Sequence, residues 1–244
     1  MSAVAIILAG GLGTRLRHII GETPKPLVEV CGKPFIAWVM ELLKHHGFND
    51  LVVSSGYRAD LVTAFFRLYK SSGVKIREVR EPKPLGTAGA LLHTWSVVRR
   101  TSTTGALVLN GDSLVACDLA RFISGMRADD DASVLGVRVE DTSRYGTLTI
   151  DENNKLLRFS EKNTGSGLIN AGIYYLKAHV LNGVPYAGEN MSMEYDLLPK
   201  FLSEGISVRV MPVSAPFLDI GTEESLSQAT EFIGKLRDSY LRGL

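Results

Sequence analysis

Apolar positions along the first half of the chain alternate between short unbroken runs and longer periodic stretches. Ala3–Ala9 is a continuous apolar run of strand length, the pattern of a strand buried on both faces. Pro34 suits a helix start, and Phe35, Val39, Leu42 and Leu43 then recur at helical spacing until Gly47 ends the run. Asp50–Ser55 predicts a second strand. Tyr57–Lys70 predicts a helix with Leu61, Ala64, Phe65 and Leu68 on one face, and Val74–Val79 alternates as a third strand. Gly86 precedes a helix over Thr87–Arg99, and Gly105–Leu109 is a fourth strand running into Asn110-Gly111-Asp112-Ser113. Regular alternation of strand and helix predicts right-handed crossovers and a mostly parallel sheet covered on both faces.

After residue 117 the alternation loosens. A helix is predicted over Asp118–Arg127, then strands over Ala132–Val139, Gly146–Ile150, Leu156–Phe159 and Ile169–Leu176, with a turn at Asp151-Glu152-Asn153-Asn154. Successive strands without helices between them predict antiparallel pairing here. Met193–Leu202 is a predicted helix, Ser207–Val210 and Phe217–Ile220 are short strands, and Thr222–Arg237 is an amphipathic helix with Glu223 and Glu224 favourable in its first turn. The expectation is one domain over 1–244, with a nucleotide-binding part at about 1–117 and a more antiparallel part at about 118–244. In open α/β sheets ligands gather at the carboxyl ends of strands, where Gly10, Gly56, Gly86 and Asp112 fall.

Composition narrows the function classes. A formal net charge of +1 argues against a broad electrostatic footprint for nucleic acid or an anionic membrane. The two cysteines, Cys31 and Cys117, match no metal spacing and suit a reducing compartment. No apolar run reaches membrane-span length, and Ala3–Ala9 lacks the basic start and length of a signal peptide. A cytoplasmic location is expected.

The first strand ends in Leu8-Ala9-Gly10-Gly11-Leu12-Gly13-Thr14-Arg15, and Lys25 follows between Pro24 and Pro26. Glycines bring bare N–H groups against an anion, and Arg15 and Lys25 add positive charge, which predicts a polyphosphate site. The pattern is neither a dinucleotide fingerprint, since Leu16 stands where its third glycine belongs, nor a P-loop. The prolines stiffen the backbone around Lys25. Asp112 and Asp219 each follow an apolar approach, and either alone suits a turn or a cap. Paired beside a polyphosphate they suit Mg2+, which takes a couple of carboxylates plus phosphate and water. Glu161-Lys162 reads equally as a surface pair and Tyr145-Gly146 as a plain turn. Asn170 lies inside an apolar run and needs a partner, either a sugar hydroxyl or a backbone carbonyl. His45 and His46 sit at a helix end, where a cation favours the dipole, and His18 lies near the glycine-rich loop. No arrangement for covalent catalysis is present.

With Leu8–Arg15, Pro24-Lys25-Pro26, Leu85-Gly86-Thr87-Ala88-Gly89, Gly111-Asp112, Glu161-Lys162 and Asp219-x-Gly221-Thr222 in this order, the chain resembles the sugar-1-phosphate nucleotidylyltransferases over essentially its whole length. The resemblance implies a Rossmann-like three-layer α/β sandwich with a mixed, mostly parallel central sheet and a more antiparallel sugar-binding half. It implies the reaction of an NTP with a sugar 1-phosphate to give an NDP-sugar and pyrophosphate, with Mg2+ as cofactor. It places the backbone of Leu8, Ala9, Gly10 and Gly11 at the base and ribose. Gly13, Thr14 and Arg15 fall at the triphosphate, and Lys25 near the α-phosphate. Glu81, Gly86 and Thr87 fall at the base, and Asp112 and Asp219 at the metal. Gly146, Glu161, Lys162 and Asn170 fall at the sugar phosphate, with Lys162 on its phosphate. Arg15, Lys25 and Asp112 would carry catalysis. Asn163 departs from the proline that many relatives have after Glu-Lys.

The chemistry agrees with this assignment. A sugar phosphate is already an oxygen nucleophile, so the obstacle is to bring two anions together in line. Gly32-Lys33-Pro34-Phe35, the Pro84–Leu91 run and Ile169–Tyr174 look most like the D-glycero-D-manno-heptose 1-phosphate guanylyltransferases. Guanine presents two adjacent donors that the Glu81 carboxylate is able to accept, which favours GTP, although a main-chain amide would read uracil. A uridylyl- or cytidylyltransferase acting on N-acetylmuramate or glucose 1-phosphate is the alternative. A metal-dependent glycosyltransferase would want Asp-x-Asp where Gly111-Asp112-Ser113 stands. A non-catalytic regulatory subunit would have lost a charged member of the site. The expected partners are therefore an NTP and a sugar 1-phosphate, with no nucleic acid and no membrane, and with a homo-oligomer left open.

Overall fold

The structure is a computed structural model that describes residues 3–69, 73–160 and 164–239. In chain order its strands are β1 (Ala3–Ala9), β2 (Glu29–Val30), β3 (Lys33–Pro34), β4 (Asp50–Ser55), β5 (Lys75–Arg80), β6 (Gly105–Asn110), β7 (Ser113–Val115), β8 (Ala132–Val139), β9 (Thr147–Ile150), β10 (Leu156–Ser160), β11 (Gly167–Lys177), β12 (Val208–Val213) and β13 (Phe217–Asp219). Its helices are α1 (Arg17–Ile20), α2 (Phe35–His45), α3 (Ala59–Leu68), α4 (Gly86–Val98), α5 (Leu119–Ser124), α6 (Ala178–Gly183), α7 (Leu198–Ser203) and α8 (Glu223–Ser239).

The apolar run that makes β1 a central strand divides between two cores. Ala5, Ile7 and Ala9 enter one with α2, α5 and α8, and Val4, Ile6 and Leu8 enter the other with α4, α6 and α7. Three layers follow from that two-sided burial. β1 pairs in parallel with β4 and β6, and β4 with β5. β11 then lies antiparallel between β6 and β8, and β12 runs parallel to β8. The order is thus β5-β4-β1-β6-β11-β8-β12, with β11 the reversed strand. The β9–β10 hairpin joins the first half of β11 through Thr147 and Ile169.

The second half departs from the sequence expectation in detail. The strand after Ser207 extends to Val213 and is parallel to its neighbour rather than antiparallel. The predicted helix at Asp118–Arg127 is only Leu119–Ser124, because Asp118 caps it by accepting the Arg121 N–H and Gly125 closes it. Met193–Leu202 splits into a π turn at Met193–Leu197 followed by α7. His46 is not the cation expected at the end of α2: burial lowers its pKa, against the opposing pull of Asp118 at 3.6 Å.

An isolated bridge between Lys155, just before β10, and Arg209 ties the turn before β10 to β12. Arg209 is buried and pairs with the buried Asp130. It also donates to the Asn153 carbonyl at 2.7 Å. Removing one member of such a pair strands a charge in the interior. Arg209→Ala is expected to cost about 3–5 kcal/mol of folding free energy, read by urea unfolding.

Candidate active site

The carboxyl ends of β1, β5 and β6 open on a cavity of about 360 Å³. Its floor is the chain from Leu8 to Gly13, and its walls carry Glu81, Thr87, Lys25 and Asp112. Gly10 lies close under Glu81: a Cβ there would stand 1.9 Å from Glu81 Oε1 and displace that carboxylate. Glu81 accepts the Leu85 N–H at 3.3 Å and the Ser54 hydroxyl at 3.4 Å, and burial raises its pKa. Gly13 has φ +61°, which lets the loop turn into the 3-10 turn Thr14–Leu16. Gly86 starts α4 beside the same cavity. The Thr87 hydroxyl accepts the Met193 N–H at 2.8 Å, and this ties α4 to the 190–193 segment.

Lys25 begins a 3-10 turn flanked by Pro24 and the buried Pro26, so its backbone is fixed from both sides. Its ammonium stands 3.3 Å from Asp112 Oδ2. Asp112 and Asp219 are brought together by a three-residue ladder. β7 pairs antiparallel with β13 so that Ser113 faces Asp219, and the Ile220 N–H donates to the Asp112 carbonyl at 3.0 Å. Asp219 Oδ1 accepts the Gly221 N–H at 2.8 Å. The Asp219 carboxyl is pushed up to about 6, first by burial and then by the Asp112 charge, against the pull of Lys25, the Gly221 N–H and Arg144. A buried carboxyl raised by the charge of a second carboxylate beside it is a fit for a divalent cation. Among the described residues no group of three or more His, Cys, Asp or Glu is placed to hold a metal. A pair of this kind suits Mg2+ when phosphate and water complete the shell.

A second cavity, of about 210 Å³, adjoins the first. Asn110 lines both, and its Oδ1 is buried without a protein partner among the described residues. Asp219, Gly146 and Asn170 line the second. Within the protein Asn170 takes side-chain partners rather than a backbone carbonyl for its amide. Its amide donates to the Tyr174 hydroxyl at 2.6 Å and to Glu194 Oε1 at 3.1 Å, while its oxygen accepts the Gly172 N–H at 3.1 Å. Tyr174 also donates to Glu194 Oε1 at 2.8 Å, and burial followed by the Glu194 charge raises its pKa, so it stays a donor.

Of the residues the sequence singled out, Leu8, Ala9, Gly10, Gly11, Gly13, Lys25, Glu81, Gly86, Thr87 and Asp112 border the first cavity. Thr14 and Arg15 are exposed on the turn after Gly13 and line neither cavity. Glu161 and Lys162 lie outside the described residues. His18 is exposed and lies 4.0 Å from Glu223. Sequence reasoning missed Asn110, Arg144, Asn190 and Glu194. Asn110 had a signal, a polar residue closing an apolar strand. Glu194 had none, because it enters the site through the π turn.

The chain matches the profile of the nucleotidyl transferase family over residues 4–235. It belongs to that family. Among individual proteins, it is 34% identical to D-glycero-alpha-D-manno-heptose 1-phosphate guanylyltransferase of Campylobacter jejuni, over 90% of this chain and 95% of that one. It is 31% identical to mannose-1-phosphate guanylyltransferase of Mycobacterium tuberculosis, over 90% of this chain and 61% of that protein. The crystal structure of HddC from Yersinia pseudotuberculosis complexed with GMP-PN superposes with a TM-score of 0.84 at 34% identity, covering 95% of this chain and 99% of that one. In this nucleotidyl transferase the glycine-rich loop, Lys25 and the aspartate pair therefore stand on a shared fold, at the strand ends where such a fold binds ligands.

Proposed function

We propose that this chain transfers a nucleotidyl group from an NTP, with GTP favoured, to a sugar 1-phosphate of manno configuration, such as D-glycero-D-manno-heptose 1-phosphate, releasing pyrophosphate. The observation that carries the reading is the junction of two cavities at Asn110, with Lys25, Asp112 and Asp219 gathered beside it. The nucleotide occupies the larger cavity, built mainly from residues within 1–117, and the sugar phosphate the smaller one, built mainly from residues within 118–244. Guanylyltransferase relatives support the choice of nucleotide and sugar.

A phosphate oxygen of the sugar attacks the α-phosphorus, forming the new P–O bond as the bond to the pyrophosphate oxygen breaks. Lys25 neutralises the α-phosphate and the incoming oxygen, and holds them in line. Asp112 and Asp219 would hold Mg2+, which when bound supplies positive charge on the phosphate oxygens. The family resemblance assigns Arg15 to departing pyrophosphate and Lys162 to the sugar's phosphate. Within 3–69, 73–160 and 164–239 no helix is long and apolar enough to cross a membrane; the substrates themselves are consistent with a cytoplasmic enzyme.

Glu81 decides the base. A carboxylate accepts both guanine edge donors, whereas an amide opposes one of them. Glu81→Gln is expected to raise the KM for GTP about 10- to 100-fold, the worth of charge-assisted hydrogen bonds, and to erase the preference over UTP. The check is pyrophosphate release from four NTPs paired with heptose, mannose, glucose and N-acetylmuramate 1-phosphates. Unchanged GTP selectivity in the variant would remove Glu81 from base recognition. Release with UTP or CTP alone would replace GTP as the donor.

A further inference from the structure

The second cavity contains a cation that the assignment above does not use. Arg144 is half-buried and lines this cavity together with Asp219. Its guanidinium is held by two neighbours. Nη2 donates to the Thr222 hydroxyl at 2.9 Å, and Cζ lies 5.4 Å from the centroid of the Tyr145 ring. Both neighbours are themselves fixed. Tyr145 packs edge-on against Phe217 with centroids 5.4 Å apart. Thr222 Oγ1 lies 3.0 Å from Ser225 Oγ and accepts the Ser225 N–H at 3.3 Å at the start of α8.

Arg144 is nevertheless in ion-pair contact with no carboxylate among the described residues. A guanidinium has five donors in a rigid fork, and Thr222 engages one nitrogen. A half-buried, stacked and anchored arginine with donors to spare is a preorganised receptor for a planar or tetrahedral oxyanion. The cavity that it lines is bordered by Asp219 and shares Asn110 with the first cavity, and there the nucleophilic phosphate must arrive to reach the nucleotide.

We infer that Arg144 binds the phosphate of the sugar 1-phosphate, and that Thr222 is the positioning residue that holds the guanidinium for it. The inference rests on reading the second cavity as the sugar-phosphate site. It gives the Thr222 hydroxyl of Asp219-x-Gly221-Thr222 a task distinct from metal binding. A lysine in this place would supply charge without the fork.

The test is titration calorimetry on the full chain with a non-hydrolysable GTP analogue and Mg2+ present. The probes are α-D-mannose 1-phosphate, D-glycero-α-D-manno-heptose 1-phosphate and the two sugars without phosphate. Arg144→Ala is expected to weaken binding of the sugar phosphates about 10- to 100-fold. It should leave binding of the analogue within about three-fold and abolish the advantage of phosphorylated over plain sugar. Arg144→Lys recovers part of the loss. Thr222→Val, which keeps the arginine, gives a smaller loss in the same probes, and these two variants serve if the alanine protein misfolds. Sugar-phosphate binding unchanged in folded Arg144→Ala overturns the inference. So does a loss confined to the nucleotide analogue, which would mean that Arg144 serves only Asp219. Wild-type protein that binds neither sugar phosphate overturns it together with the reading of the cavity. Wild-type protein that binds them without releasing pyrophosphate from any NTP leaves the inference standing and removes the proposed reaction.

Discussion

Lys25→Ala is expected to lower kcat by about two to three orders of magnitude while the protein stays folded. The size follows from where the ammonium sits. Its side chain is only 16% exposed and stands 3.3 Å from Asp112, so it acts in a site with little competing water. A preorganised donor aimed at developing charge in such a place contributes about 3–4 kcal/mol to the barrier. The lysine also offsets the repulsion that Asp112 exerts on Asp219, and its loss adds to the difficulty of ionising Asp219. Pro24 and the buried Pro26 hold the turn without the side chain, so the fold does not depend on the charge. Asp112 remains 29% exposed and retains water when its partner is gone. The melting temperature is therefore expected to move by a few degrees at most, about 1 kcal/mol. Steady-state pyrophosphate release and thermal unfolding of the same preparation check the two halves of this prediction. A variant with near-normal kcat would remove Lys25 from the chemistry.

Asp219→Asn separates activity from stability in the opposite sense. Its folded-state pKa of about 6 lies above the ordinary carboxylate range. The native state therefore favours the protonated acid. The stability gained from that preference is full at pH below the unfolded pKa, near 4, and is lost as pH rises through about 6. At pH 8 the wild-type protein without metal carries an ionised Asp219 beside Asp112 at a net cost. Asparagine carries no charge, so metal-free Asp219→Asn is expected to melt at or above the wild-type temperature at pH 8. The two should converge below about pH 4. Millimolar Mg2+ with nucleotide should reverse the order, raising the wild-type melting temperature and leaving the variant's unchanged. Turnover in the variant is expected to fall by about three orders of magnitude. A variant that is less stable than wild type without metal at pH 8, or that keeps its Mg2+ response, would show that Asp219 is structural rather than a ligand.

The parts of this molecule that sequence reading recovers are those whose signal is local. Ala3–Ala9 announces a two-sided strand because both of its faces enter a core, and Gly10 to Gly13 and Lys25, close in sequence, border one cavity. The aspartate pair is legible only as two separate strand ends. What joins them is the ladder of β7 and β13, three residues each, too short to show a period. The parallel pairing of β12 with β8 carries no signal in the sequence, because a short strand after a helix does not say which of the strands before it is its neighbour. Glu194 reaches the second cavity through a π turn, which no helical spacing anticipates, and Asn170 bonds Glu194 and Tyr174 while lining that cavity. Arg144 sat beside the noted Tyr145-Gly146 but gains meaning only from Thr222, which arrives from the start of α8.

In the proposed reaction one bond, between the α- and β-phosphates, breaks as a sugar phosphate attacks. Parallel reactions with GTP labelled at the α- or the γ-phosphate, each with D-glycero-α-D-manno-heptose 1-phosphate and Mg2+, follow that bond directly. The account predicts that α-label appears in a nucleotide sugar and γ-label in pyrophosphate, in equal amounts and only when the sugar phosphate is present. γ-Label in orthophosphate, α-label in free GDP, or no transfer with this or any other sugar 1-phosphate would contradict it.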